Sequence, residues 1–449
     1  MRKFVLSLLC ALSFCSRASA SAWIEQAKLA TGDRGAKSVF ISGDYAIVGA
    51  PEDDDNGSSS GSAYVFVRAG TTWTQHQKLT ASDGAPNDLF GDSVSISGNY
   101  AIVGAPGKSA AYIFVRSGSV WNQQQHLTGS GTTLIFGASV AIDSEYAVVG
   151  DPYATSPLLG GGLSNAGGAF VFKRTTSVWS ETSKLYPSDL VIGHKFGASV
   201  SIRGDYIAVG GPQNHGASFL NGTAYIFIRS GSGWSEQQAL TASDAGTFDE
   251  FGYSISISGN SAIVGARSAS ASSGHQTGAA YVYTRSGTSW VEQQKLTASN
   301  GAADHSYGTS VAISGDNIII GANQQYRDLS SSPCCEYSTE GDGKGRAYMY
   351  TRSGTTWTET LNKPEHSDKS ATSFSDSFGT SVAISNYDFI VGAPRVDVGG
   401  GNQGAAYVFN INAPNLVTPP PPSSPSSSPS SPPPSPPPSP PPSPPPSPP

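Results

Sequence analysis

Seven tryptophans constrain this chain more than any other feature. Trp23, Trp73, Trp121, Trp179, Trp234, Trp290 and Trp357 follow one another at intervals of 50, 48, 58, 55, 56 and 67 residues. Six are followed by a leucine at plus six (Leu29, Leu79, Leu127, Leu185, Leu240, Leu296), and the seventh by Leu361 at plus four. A period of this size marks an array of supersecondary units, none of which can bury its apolar face alone. Positions 0, 2, 4 and 6 of a strand share one face, so the spacing predicts a strand whose Trp and Leu are buried together. We call it strand d.

The rest of each period has the same order. A polar loop leads to an aromatic–Gly pair: Phe90-Gly91, Phe136-Gly137, Phe196-Gly197, Phe251-Gly252, Tyr307-Gly308 and Phe378-Gly379, with a degenerate Arg34-Gly35 in the first copy. A short alternating run such as Ser93-Val94-Ser95-Ile96-Ser97 reads as strand a. A tight turn follows, as in Ser42-Gly43-Asp44 or Arg203-Gly204-Asp205. Gly beside Asp or Asn is the chemistry of a short hairpin turn. Strand b is apolar and ends at a Gly-Ala-Pro-like corner, as at Gly49-Ala50-Pro51 and Gly104-Ala105-Pro106. After a loop of variable length, an Ala-aromatic run rich in β-formers, such as Ala63 to Arg68, reads as strand c.

Four strands in each of seven periods predict an all-β chain, a seven-bladed β-propeller of four-stranded blades over residues 21–413. The chain enters on strand d (Trp23 to Leu29) and leaves on strand c (Ala406 to Asn410). The N-terminal strand is therefore expected to complete the seventh blade, which removes the open sheet edges that invite aggregation. The phased Phe-Gly and Gly-Ala-Pro pairs resemble the FG-GAP repeat family, the repeat of the integrin α-subunit head, over about residues 23–410. The resemblance implies an extracellular binding or adhesion role. In integrins, calcium sits in an Asp-x-Asp-x-Asp-Gly sequence of the a–b loop. Every a–b link here is a short turn, so those calcium sites do not carry over.

Residues 1–20 read as a signal peptide: Arg2 and Lys3, an apolar run from Phe4 to Phe14, and Ala18-Ser19-Ala20 as the cleavage site. Its removal leaves 23 basic and 33 acidic residues, and only Cys334 and Cys335 of the 4 cysteines. The mature chain is then acidic, which excludes a basic footprint for nucleic acid, and it is not a disulfide-stapled scaffold. No apolar run reaches membrane-spanning length. Residues 414–449 read as a disordered tail, and 419–449 contain only Pro (20) and Ser (11). Such a tract adopts polyproline II. Its Ser-Pro-Pro-Pro units resemble the hydroxyproline-rich wall glycoproteins of plants and green algae.

Candidate sites are few. Glu52, Asp54 and Asn56 in the first b–c loop approximate the alternating oxygen ligands of a calcium loop, although no closing glutamate follows. A solvated acidic turn is the competing reading. Asn56 and Asn221 head glycosylation sequons in b–c loops. Arg203-Gly204-Asp205 spells an integrin-ligand tripeptide but aligns with sister turns. The seven histidines are scattered over different copies, and His194 and His305 precede a strand a. No catalytic constellation or other cofactor motif appears. The seven tryptophans are read as structural. The function expected is that of a secreted, non-catalytic module presenting b–c and d–a loops to a glycan or protein ligand, with the tail holding it in a cell wall or matrix. Two alternatives stand beside it: a propeller-type polysaccharide lyase or hydrolase, and a purely structural wall glycoprotein.

Overall fold

The computed structural model describes residues 23–32, 34–155, 165–212, 221–270, 277–299, 306–323, 345–360, 363–368, 376–397 and 403–411. The expected signal peptide, Cys334, Cys335, His305 and the Pro/Ser tail lie outside the described residues. Within them lie 28 strands in seven four-stranded antiparallel sheets, and no helix. Blade 1 consists of strands a (Ser38–Ser42), b (Tyr45–Ala50), c (Ser62–Ala69) and d (Thr72–Leu79), hydrogen-bonded in that order. Strands a of neighbouring blades pack on one another around the whole ring, so a is innermost and d outermost.

The ring closes as expected. Strand d of blade 7 is Trp23–Ala30, paired antiparallel with strand c, Ala405–Ile411. Strands b (Asp388–Ala393) and a (Ser381–Ser385) complete that sheet.

The expected partnership of Trp and Leu within one strand d is overturned. Strand d carries a bulge against strand c: Gln75 pairs with Phe66 and Gln77 with Val65, which leaves His76 over. The same register shift recurs in strands d of five other blades. One extra residue turns everything beyond it to the other face. Trp and Leu of one strand therefore face opposite neighbours, and each described Leu meets the Trp of the following blade; Leu361 lies outside the described residues. Leu79 shares a core with Trp121, Leu127 with Trp179, Leu240 with Trp290, and Leu296 with Trp357.

Polar latches reinforce these junctions. The Gln77 side chain accepts from the Trp121 backbone N–H (2.8 Å) and donates to its carbonyl (2.7 Å). Gln125 with Trp179, Gln238 with Trp290 and Gln294 with Trp357 repeat the arrangement. A serine three residues past each of five Leu positions donates its N–H and hydroxyl to a Glu of the next blade, or exchanges bonds with a Gln. Ser82–Gln123, Ser188–Glu236 and Ser243–Glu292 are examples.

The two sequence signatures meet across the same junctions. Gly91 has φ +97°, and a Cβ there would lie 2.2 Å from the Ser62 carbonyl oxygen. A Cβ on Gly49 would lie 2.0 Å from the Gly91 carbonyl oxygen. Ser38 Oγ donates to that same oxygen at 2.8 Å. Backbone approaches this closely only where both residues lack a side chain. In the first copy the phase differs from expectation by one residue. Gly35 stands where Phe90 stands in blade 2, and Ala36, with φ +66°, where Gly91 stands. The Ala36 carbonyl oxygen faces Gly392 as the Gly91 oxygen faces Gly49.

Candidate functional site

Strand alternation sends a–b and c–d links to one end of the ring and b–c and d–a loops to the other. The turn end is closed by its own side chains. In blades 1, 4 and 6 the strand c arginine pairs with the carboxylate of that blade's a–b turn, as in Arg68–Asp44 at 2.8 Å and Arg352–Asp316 at 2.5 Å. In blades 2 to 5 the strand c arginine lies over a tyrosine of the preceding blade, as in Arg116 over Tyr45 at 4.6 Å and Arg174 over Tyr100 at 4.5 Å. Asp205 of the Arg-Gly-Asp turn is paired in this way with Arg229, and Gly204 donates its N–H to Asp143 at 2.8 Å. Each a–b turn has two residues with at most one acid between them. Such a donor set does not fit calcium, which takes six to eight oxygens.

At the loop end, a tyrosine near the start of strand c donates to an aspartate of the preceding d–a loop in four blades. The pairs are Tyr112–Asp83 (2.9 Å), Tyr225–Asp189 (2.7 Å), Tyr281–Asp244 (2.8 Å) and Tyr407–Asp368 (2.7 Å). Lys108, Lys295 and Lys28 pair with Asp83, Asp244 and Asp368 at 3.1, 2.6 and 2.7 Å. Burial and the adjacent carboxylate push these phenols far above their ordinary range. Burial alone would raise the carboxyls of Asp83, Asp244 and Asp368. Hydrogen bonds from the lysine and tyrosine outweigh it and hold them below the usual carboxylate range. At neutral pH the phenol therefore stays a donor and the carboxylate an acceptor, which ties loop to strand.

The acidic b–c loop of blade 1 departs from the calcium pattern in which residue turns inward. Asp53 is 1% exposed and accepts from Ser62 Oγ (2.7 Å), Tyr64 OH (3.0 Å) and Lys78 Nζ (2.6 Å). Burial opposes its ionisation, but the Lys78 and Ser62 hydrogen bonds prevail and its pKa falls below the ordinary value. Glu52 reaches Arg34 at 3.2 Å, the Asp54 carboxylate accepts the Ser59 N–H at 2.7 Å, and Asn56 is exposed. The three residues singled out from sequence thus engage separate surroundings. Among the described residues, no three His, Cys, Asp or Glu side chains group as a metal site. Asn221 is half-buried, with its amide nitrogen 3.5 Å from the Ala245 carbonyl oxygen.

His194 sits in the expected d–a loop but is buried, with Nε2 3.2 Å from the Tyr225 hydroxyl. Burial lowers its pKa, against a smaller upward pull from Asp189. A second buried pair, His366 and Asp376 at 3.5 Å, was not foreseen from sequence.

Sequence reasoning also missed an arc of exposed apolar side chains on three consecutive d–a loops. Leu134, Ile192 and Phe248 are 54%, 59% and 58% exposed. Phe248 has φ +69° in the loop position where Asn87, with φ +66°, stands in the loop entering blade 2. A bulky residue in the left-handed region is strained, whereas Asn tolerates it. The signal lay in the copies themselves: a ring where a sister loop carries an amide.

Comparison with curated proteins returns no match. The model of the FG-GAP repeat matches seven times, at residues 23–66, 73–120, 121–172, 179–227, 234–283, 290–350 and 369–409. These matches cover most of the chain and keep step with the blades, and on that ground the chain belongs to the FG-GAP repeat family.

Proposed function

We propose that this protein is a secreted, non-catalytic binding or adhesion module that contacts an extracellular glycan or protein through its d–a and b–c loops. An FG-GAP propeller fits a module of the binding or adhesion type. The observation that carries the reading is the exposed arc of Leu134, Ile192 and Phe248 on a frame whose other loop polar groups are largely bonded internally. Apolar side chains held in water, one of them in a strained conformation, oppose folding and favour a partner. In this reading the tail of residues 414–449 tethers the disc in a wall or matrix, and Asn56, the more exposed of the two sequon asparagines, carries a glycan.

The test is a glycan array and an extracellular-matrix protein panel probed with the secreted chain, with and without calcium. Binding that is lost in a Leu134→Ser/Ile192→Ser/Phe248→Ser variant with an unchanged melting curve supports the reading. Turnover of wall polysaccharide by the intact chain would replace it with an enzymatic one.

A further inference from the structure

Six of the seven blade junctions share three devices. An aromatic–Gly pair wedges into the junction, the first serine of the preceding strand a donates to that glycine's carbonyl, and a d–a serine clasps a Glu or Gln of the next strand d. The serine-to-carbonyl bond measures 2.7–2.8 Å at all six, from Ser38–Gly91 round to Ser310–Gly379. The clasps run from Ser82–Gln123 round to Ser367–Glu25.

Among the described residues, the junction from blade 7 to blade 1 has none of the three. Gly35 replaces the aromatic residue, and Gly32 replaces the clasping serine. Ala36 replaces the glycine, and the Ser381 hydroxyl, which would donate to it, is buried without a partner. The Gln latch is missing as well, as it is between blades 3 and 4, where Ser183 holds that position. Ala27 stands where Gln77 stands in blade 1, so no described residue there holds the Trp73 backbone as Gln77 holds that of Trp121. Elsewhere a bulge residue accepts the next blade's indole N–H, as in Gln124–Trp179 and Gln237–Trp290, both at 3.0 Å. At this junction the corresponding atoms, Gln26 Oε1 and Trp73 Nε1, are both buried and both unbonded. Trp121 and Trp234 also lack that one bond, but their junctions keep the other three-part set.

What crosses the seam instead is an apolar cluster around Val39, Ile41, Ile390 and Val408, a backbone bond from Gly35 N–H to the Gln403 carbonyl at 2.9 Å on the loop end, and two contacts at the turn end. These are the Arg68–Asp388 ion pair at 2.5 Å and the bond from Gly43 N–H to Ser385 Oγ at 3.2 Å. The covalent connection between the blades runs on the loop end, through Gly32 and Gly35, with Arg34 and Ala36 in left-handed conformations.

We propose that the ring parts reversibly between blades 7 and 1, hinged at Gly32 and at Arg34 to Ala36, while the N-terminal strand stays seated on blade 7. The other six junctions remain shut. The turn end gapes, and the opening parts the Arg68–Asp388 ion pair.

Native-state thiol labelling tests this in the full chain. Ile41→Cys places a thiol inside the seam, Ile96→Cys inside the blade 1–2 junction, and Ile257→Cys inside the blade 4–5 junction; all three isoleucines are buried. The labelling rate at each site is read by peptide mass spectrometry, which separates it from Cys334 and Cys335. We expect Ile41→Cys to label at least tenfold faster than the other two. Adding Ala27→Gln and Ala36→Gly should bring it to within about twofold of them. Equal rates at the three junctions would overturn the proposal, and so would a seam rate unmoved by the restoring pair. Should Ile41→Cys fail to fold, Val39→Cys reads the same cluster.

Discussion

Glu25 accepts both the backbone N–H and the hydroxyl of Ser367, each at 2.8 Å, across 342 residues of sequence. The bond joins the first strand of the fold to the loop that follows blade 6. It makes the N-terminal strand a member of the ring on both sides: strand c of blade 7 along its length, and blade 6 through Glu25 and through Trp23, whose indole donates to Thr360 at 3.1 Å.

Deleting residues 21–30 removes a whole strand and bares an edge, whereas deleting 419–449 removes only Pro and Ser. The first deletion is expected to lower the melting temperature by tens of degrees or to prevent folding; the second should leave it within a few degrees. Glu25→Ala alone should cost about 1 kcal/mol in urea unfolding. Equal melting of the two deletions would refute closure by this strand.

Gly49→Ala drives a Cβ to 2.0 Å from a backbone oxygen in the next blade. We expect a loss of about 3 kcal/mol or more, since backbone must move to admit it. Gly43→Ala meets no atom within 4 Å and has only its φ of +59° against it, so about 1 kcal/mol is expected. Ala36→Gly should stabilise, by up to about 1 kcal/mol, because it relieves a left-handed alanine. Chemical denaturation of the three variants orders them.

His194 is held neutral by burial, so its folded pKa lies below the unfolded value of about 6.5. A group depressed in this way contributes stability that is fully present above the unfolded pKa. That contribution is lost as pH falls through it towards the folded pKa. Unfolding free energy should therefore decline below about pH 6.5, with a slope approaching about 1.4 kcal/mol per pH unit. In His194→Gln that part of the slope should vanish. A parallel decline in both proteins would assign the acid sensitivity to other groups.

Asp53 and its neighbours separate a buried acid from exposed ones. Asp53→Ala strands Ser62 and Tyr64 without their acceptor, leaves Lys78 only the exposed Asp55, and should cost about 3 kcal/mol. Glu52→Gln should change stability by less than about 0.5 kcal/mol, its partner Arg34 being mostly solvated. Thermal melts of the two, side by side, decide whether the inward acid has been correctly identified.

The ring was legible in the sequence because each of seven copies checks the others: the Trp period, the aromatic–Gly pair and the Gly-Ala-Pro corner hold one phase. What stayed hidden depends on geometry that the period does not encode. The bulge at His76 changes the face of Trp73 relative to Leu79 without altering the residue pattern. The phase of the first copy slipped because Gly35-Ala36 keeps neither member of the pair in place. Among three successive aspartates, the turn at residues 50–57 selects Asp53 to point inward, and no spacing rule does. Exposure of Phe248 was readable only by setting its loop beside the sister loop with Asn87, since an aromatic in a β-rich chain reads first as core.

The one-residue bulge in the outer strand also bears on how such a ring grows. Because a blade offers its tryptophan backwards and its leucine forwards, the interface between two blades is written half in each copy. A copy that keeps both residues in phase supplies the missing half, so duplication or loss of such a unit leaves Leu facing Trp. Blade 1 is not interchangeable in this way: moved elsewhere in the ring, its Gly32, Gly35 and Ala36 would carry the unlatched seam with it.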